Sequence, residues 1–314
     1  MKDVNIENFK RAETHRYMQV FMKTCKMTNT FYHYRNFDNG NAVVRMNVDT
    51  LYSIAIIDTT CGETSLYIPA IRSRYFSITL IDEDHYETFF SATSGVYNFP
   101  LCNSYKVCIV RILIKDLKHQ EFAKVHRIQD NMKILGCRSR RLNLPQWDVA
   151  TLVYTTKLLS QLAKRLKNTS SIGMFGRKGE VDELKHLIGT LTGWGGLNFK
   201  HAIYESIIPK HNDGTCEFTL NVKKVPVTAF WSITVYNQDG FLLTGEHVQR
   251  NAINNYNANK RKNDFVVINF SNDNTKENNI NICKHWNYTI RLYGPHDEII
   301  KNKWKFPSLS VVTQ

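Results

Sequence analysis

At 314 residues the chain exceeds the length at which a single hydrophobic core usually stops growing, so two or more modules are expected. Hydrophobic residues at 42% and charged residues at 22% fall in the range of a soluble globular protein, and no stretch approaches the roughly 18 consecutive apolar residues of a membrane span. The net charge of +13 favours anionic partners, but the basic clusters 138–141, 164–167 and 260–262 carry no nucleic-acid motif, so they read as solvated surface and no specific nucleic-acid binding is expected.

The N-terminus is broken by Asp3, Glu7, Lys10, Arg11 and Glu13, which leaves no secretory-leader core. Seven cysteines (Cys25, Cys61, Cys102, Cys108, Cys137, Cys216, Cys283) are odd in number, with no CxxC pair and no zinc-type spacing. Free thiols in a reducing, intracellular compartment are expected, and no metal site.

In chain order, Ile6, Phe9, Tyr17, Val20 and Phe21 recur at helical spacing and predict an amphipathic helix within 1–35. Residues 36–41 (NFDNGN) read as a turn. Short apolar or alternating runs follow at 43–44, 51–57, 65–68, 75–81, 89–90 and 107–114, the pattern of an antiparallel sandwich. In the run at 76–81, period two puts Phe76, Ile78 and Leu80 on a core face and Ser77 and Thr79 on the other.

Helical spacing takes over with Leu117, Phe122, Val125 and Ile128, then with Leu152, Leu158, Leu159, Leu162 and Leu166 in a helix starting near Pro145 or Asp148 and ending at 168–171. A third helix is predicted over 181–191, closed by the turn Gly193-Trp194-Gly195-Gly196. Strand character returns at 217–222, 229–236, 265–270 and 286–293. The intervening Asn- and Lys-rich stretches 251–263 and 271–281 read as exposed loops. The strand WSIT at Trp231 echoes FSIT at Phe76 about half a chain earlier, and its Trp231, Ile233 and Val235 are expected to face a core. The division expected is 1–115 for a helix and β-sandwich, 116–200 for a helical module and 201–314 for a second β domain.

Six stretches carry a family resemblance: VVRMNVDTLYS (43–53), SITLIDEDHY (77–86), MFGRKGEVDELKHLIGTLTGWGG (174–196), HNDGTCEFTL (211–220), VPVTAFWSITVYNQDGF (225–241) and WNYTIRLYGPHDEIIKNKWKFP (286–307). In this order they resemble the two-part, mostly bacterial family of domain of unknown function 1254 followed by domain of unknown function 1214. The resemblance implies a mainly β fold: an N-terminal immunoglobulin-like sandwich, a helical middle and a C-terminal jelly-roll-like domain. It implies no activity. Val48 departs from the family pattern, which often has a basic residue between Asn47 and Asp49, and this weakens an anion site there. Bacterial relatives look exported and this chain does not; its Asn/Lys/Ile-rich composition points to an intracellular eukaryotic or large-virus source, in host cytoplasm or virion.

Two polar groups are candidate sites. Alternation puts Arg45, Asn47 and Asp49 on one side of an extended segment beside Thr50 and Tyr52, as either a ligand-binding set or a structural network of turn hydrogen bonds. Asp82, Glu83, Asp84 and His85, with Asn237 and Asp239 at the twin position, would serve either as oxygen donors and a general base or, the favoured reading, as a strand-end turn. Gly176-Arg177-Lys178-Gly179 lacks Walker spacing and reads as a helix-connecting turn. Trp194, Trp231, Tyr236 and Trp286 read first as core or interface aromatics, the first three also as ligand contacts. No GxSxG, HExxH or dinucleotide fingerprint occurs. The expectation is a small polar or anionic ligand in a cleft between the β domains, lined by Arg45, Asn47, Asp49, Tyr52, Asp82, Asp84, His85, Trp194, Trp231, Tyr236 and Asn237. The alternative is a non-enzymatic structural or interaction protein whose motifs hold its domains together. Catalytic residues, cofactor and oligomeric state are not specified by the residues.

Overall fold

The computed structural model describes all residues except 38–43, 61, 137–139, 167–169, 247, 249 and 313–314. The fold is mainly β, with sixteen strands in four sheets and five α-helices among the described residues. Two compact units form, the first from 1–36, 50–168 and 173–198, the second from 37–49, 169–172 and 199–314.

The first unit contains α1 (Phe9–Cys25), β1 (Tyr32–His33), β2 (Thr50–Asp58), β3 (Thr64–Ile68), β4 (Phe76–Ile81), β5 (Glu87–Ser91), β6 (Gly95–Phe99), β7 (Tyr105–Leu113), α2 (His119–Asp130), β8 (Lys133–Gly136), α3 (Val149–Leu166) and α4 (Glu183–Gly193). A five-stranded sheet runs β1-β2-β7-β4-β5 and a three-stranded sheet β6-β3-β8, all antiparallel. The helices of 116–198 cluster with these sheets.

Phe76, Ile78 and Leu80 are buried as expected, but Ser77 and Thr79 are buried too. Register explains why: Thr79 pairs with Ile109 and Ile81 with Val107, so the Ser/Thr face is continuous with apolar positions of β7. Met18, Phe21 and Met22 of α1, with Trp194, cover that face. The helix itself turns differently from its predicted stripe. Phe9, Ala12 and Met18 point inward beside Glu13, Thr14 and His15, whereas Ile6 precedes the helix and is exposed, as is Val20. Polar residues are accommodated on the inner face because each has a partner: Arg16 for Glu13, Trp194 for Thr14, and Trp147 and Glu83 for His15.

Asp148 accepts the Thr151 N–H at 2.8 Å and opens α3, and Asp182 caps α4 by accepting the Lys185 N–H at 2.9 Å. Leu152, Leu159 and Leu162 pack with Val4, Phe9, Ala12 and Leu187, but Leu158 and Leu166, expected on the same stripe, are exposed. Leu158 and Leu159 point about 100° apart on a helix, so only one can face inward. Of the run predicted at 43–44, Val43 lies outside the described residues, as do 38–42 of the turn, 138–139 and 167 of the basic clusters and 168–169 of the predicted helix end, and Val44 is in a turn.

The second unit contains β9 (Ala202–Ile207), β10 (Phe218–Val222), β11 (Val227–Tyr236), β12 (Ala252–Asn254), β13 (Val266–Phe270), β14 (Asn279–Ile280), β15 (Asn287–Pro295), α5 (Asp297–Ile300) and β16 (Ser310–Val311). Sheets β12-β11-β15-β9 and β14-β13-β10-β16 share one core, in which Trp231, Ile233, Val235, Ile290 and Leu292 meet Phe218, Leu220, Val266, Ile268 and Phe270. Each such side chain contributes about 1.5–3 kcal/mol by leaving water. The Asn-rich stretches are not simply exposed loops. They supply β12 and β14, bury Ile253, Asn254, Asn279, Ile280 and Asn281, and are tied together by Asn278, which donates to Asn259 O (2.8 Å) and accepts from its N–H (2.8 Å). Asparagine here takes the place of backbone partners, a role that composition alone reads as polarity.

Among the described residues, Cys25, Cys102, Cys108, Cys216 and Cys283 are free thiols, and no helix is long and apolar enough to cross a membrane.

Candidate functional site

In the second unit the segment 44–49 lies across the outer face of β11 and β15. Arg45 adopts φ 56°, in the left-handed region, where its N–H donates to Gly240 O (2.7 Å) and its carbonyl accepts from Arg291 (3.0 Å). Its guanidinium donates to Asn287 Oδ1 (3.1 Å) and Thr289 Oγ1 (3.0 Å). Asn47 Nδ2 donates to the Tyr293 hydroxyl (2.9 Å), and Asn47 Oδ1 accepts the Asp49 N–H (2.8 Å). Asp49, 1% exposed, accepts from Ser232 Oγ (2.5 Å) and Asn254 Nδ2 (3.1 Å). Tyr236 donates its hydroxyl proton to Met46 O (2.7 Å) and accepts from Arg291 (2.5 Å), which also donates to Thr234 Oγ1 (2.7 Å).

Burial pushes the Asp49 carboxyl up, against the opposing pull of Arg291, Ser232 and Asn254. Burial likewise disfavours charge on Arg45, whose guanidinium it pulls down. Arg45, Asn47, Asp49 and Tyr236 are thus brought together, each with internal partners. Asn237 sits at the edge, its Oδ1 accepting the N–H groups of Asp239 (3.0 Å) and Phe241 (2.9 Å) in a turn. Trp231 does not join them; its side chain lies in the sandwich core against Phe306. Sequence reasoning missed Ser232, Asn254, Thr289 and Arg291. The signal available was Arg291 inside the apolar run of β15.

In the first unit, residues 82–86 make the β4–β5 turn. Asp82 Oδ1 accepts the N–H groups of Asp84 (2.9 Å) and Tyr86 (2.9 Å), and burial raises its pKa. Asp84 takes a bidentate pair from Arg11 at 2.7 and 2.5 Å. His85 is buried at φ 70°; its Nε2 accepts the Gly195 N–H (2.8 Å), so Nδ1 carries the proton and donates to Thr190 Oγ1 (2.8 Å). Burial, with His186 and Lys10 nearby, holds its pKa well below the ordinary histidine value, so the ring is neutral and both nitrogens are occupied. That disposition suits a positioning role rather than a general base.

Trp194 stacks on His85 and on Tyr17 and donates to Thr14 Oγ1 (3.1 Å). Tyr52, on β2, carries the Arg111 guanidinium over its ring at 5.3 Å. Arg111 also donates to Gly195 O, so His85 and Arg111 grip both ends of the Gly195 unit at φ +81°. Gly196 has no room for a side chain: a Cβ would lie 2.3 Å from the buried Phe175 ring. Gly196→Ala is expected to cost about 1–3 kcal/mol, seen as a lower urea midpoint, and Phe175→Leu in the same chain should recover part of it. An unchanged midpoint for the single variant would contradict this packing.

A second group was not anticipated. Trp147 Nε1–H donates to His15 Nδ1 (3.0 Å), His15 Nε2–H donates to Glu83 Oε2 (2.8 Å), and Glu83 Oε1 accepts the Tyr105 N–H (3.0 Å). Burial opposes the Glu83 charge, but the His15 and Tyr105 hydrogen bonds outweigh it and hold the carboxyl below its ordinary value. Glu83 lines two open recesses of the first unit. One, of about 400 Å³, presents Arg140, Arg141, Thr60, Ser104, Asn103 and Asn143; the other, of about 430 Å³, presents Lys2, Asn8, Arg11, His15 and Trp147. Arg140 and Arg141 are exposed, with no side-chain hydrogen bond or ion pair among the described residues. No group of three or more His, Cys, Asp or Glu among the described residues is placed to hold a metal ion.

Along 98% of both chains the fold is similar to the crystal structure of the VPA0106 protein from Vibrio parahaemolyticus (16% identity, TM-score 0.72). It is also similar to an uncharacterized protein from Burkholderia cenocepacia (13% identity, 97% of this chain and 86% of that one, TM-score 0.56). At these identities the likeness concerns the fold. Two family models then match: residues 28–95 the model DUF1254 and residues 209–297 the model DUF1214, each described as a protein of unknown function. Both parts of the two-part family are therefore present, in the order the sequence resemblance anticipated. No curated protein matches the sequence.

Proposed function

We propose that the chain is a binding protein for a small polar molecule bearing an anionic group, held in the first-unit recess at Arg140 and Arg141. The observation that carries this reading is the pair of guanidinium groups, uncommitted among the described residues, beside hydroxyl and amide side chains of a recess of ligand size. Glu83, fixed by His15 and Tyr105, makes one wall acidic and would select ligands that also offer a donor. An intracellular setting belongs to the same reading and is supported by the free thiols.

Calorimetric titration with inorganic phosphate, a dicarboxylate, a hydroxy acid and a neutral polyol tests it. One of the anions should bind, and Arg140→Ala with Arg141→Ala should weaken it by roughly tenfold for each guanidinium removed. Equal binding of the neutral polyol, or an unchanged constant in the double variant, overturns it. A second reading, a non-enzymatic structural or interaction protein, is favoured by one specific observation: Asp49, Arg45 and Asn47 are spent on internal hydrogen bonds.

A further inference from the structure

We propose that the outward face of α3 docks on an anionic membrane surface. The helix VATLVYTTKLLSQLAKRL carries an inward and an outward set of apolar residues. The inner one, Leu152, Leu159 and Leu162, is used in the core of the first unit. The outer one is not: Val149, Val153, Tyr154 and Leu158 are 68%, 62%, 64% and 42% exposed. Single exposed apolar residues are ordinary, but here two pairs one turn apart, Val149 with Val153 and Tyr154 with Leu158, flank Lys157 on the solvent half of one helix, and apolar surface grouped in this way marks interaction surfaces.

Charge identifies the occupant. Lys157, Lys164 and Arg165 are exposed on the same side, and α3 contains no acidic residue. A helix of 18 residues, about 27 Å long, can lie flat in the headgroup layer with its apolar side chains in the acyl boundary. Lysine and arginine stems then lie along apolar surface while their charges reach the phosphates, and tyrosine suits that boundary. The net charge of +13 raises the concentration of the chain at such a surface before contact is made.

The test is flotation of the full chain with vesicles of phosphatidylcholine alone and with about one-third phosphatidylserine. Binding should require phosphatidylserine and weaken with salt. Lys157→Gln, Lys164→Gln and Arg165→Gln together should weaken it roughly 100-fold, at about one kcal/mol per cation. Val153→Ser, Tyr154→Ser and Leu158→Ser together leave the charge untouched and should weaken it at least about tenfold. All six positions are exposed, so melting temperatures should hold. Equal binding by the serine variant means bulk electrostatic adsorption and overturns the proposal. So does failure to float combined with binding to soluble polyglutamate, which would indicate an acidic protein partner, or with a dimer that the serine variant abolishes, which would indicate a second copy.

Discussion

Asp49→Ala is expected to destabilise the second unit by about 3–5 kcal/mol, because it removes a carboxylate whose charge acts on the buried Arg291 and orphans two buried donors, Ser232 Oγ–H and Asn254 Nδ2–H. Asp49→Asn keeps the shape and one acceptor, so it should cost less. The informative contrast is Asp84→Ala, which breaks a shorter-range, bidentate pair with Arg11. Those side chains are 39% and 47% exposed, and a pair in that setting contributes about 0.2–1 kcal/mol. Urea denaturation followed by the fluorescence of Trp231 and Trp286, both in the core of the second unit, reads the Asp49 effect. A loss below about 1 kcal/mol for Asp49→Ala would show that the segment 44–49 is not held by this network, and would return Asp49 to the pool of ligand contacts.

The same residues show how much of the molecule is legible in its sequence. Arg45, Asn47 and Asp49 stand out because they are neighbours in the chain. Their partners lie 183 to 246 positions away, a separation at which local pattern carries no information about contact. Strand cores were readable from period two, since Phe76, Ile78 and Leu80 and then Trp231, Ile233 and Val235 are buried as their alternation requires. The opposite faces were not. Serine and threonine at alternate positions look solvent-facing, and only the register with Ile109 and Arg111 on β7, and with Arg291 on β15, reveals that a second layer covers them. His15 was hidden for a similar reason: on a helix read from its apolar spacing it belongs to the polar side, yet Trp147 and Glu83 together make a buried place for it.

Glu87, which no motif singled out, is expected to give the first unit a pH-dependent stability of unusual sign. It is buried at the start of β5, and burial pushes its carboxyl up to about 7 from an ordinary 4.5, although the Asn198 N–H, Arg111 and Arg177 pull the other way. Between those two values the folded state holds a proton that the unfolded chain has released. Stability from this group is therefore fully present below pH 4.5 and is lost as pH rises to about 7, by about 3 kcal/mol in all. His33 works against it. Burial and Arg35 push its pKa down to about 4, so the unfolded chain binds the extra proton and stability rises with pH up to the ordinary 6.5. The two slopes overlap, and a pH profile of the unaltered chain would look nearly flat from this pair. Variants separate them: the stability of the unaltered chain minus that of Glu87→Gln should fall from pH 4.5 to 7, and the same difference for His33→Gln should climb from pH 4 to 6.5. A Glu87→Gln difference that stays level across its window would place the carboxylate, ionised, against Arg111 and Arg177, and would make it an ion-pair partner of those cations instead of a buried acid.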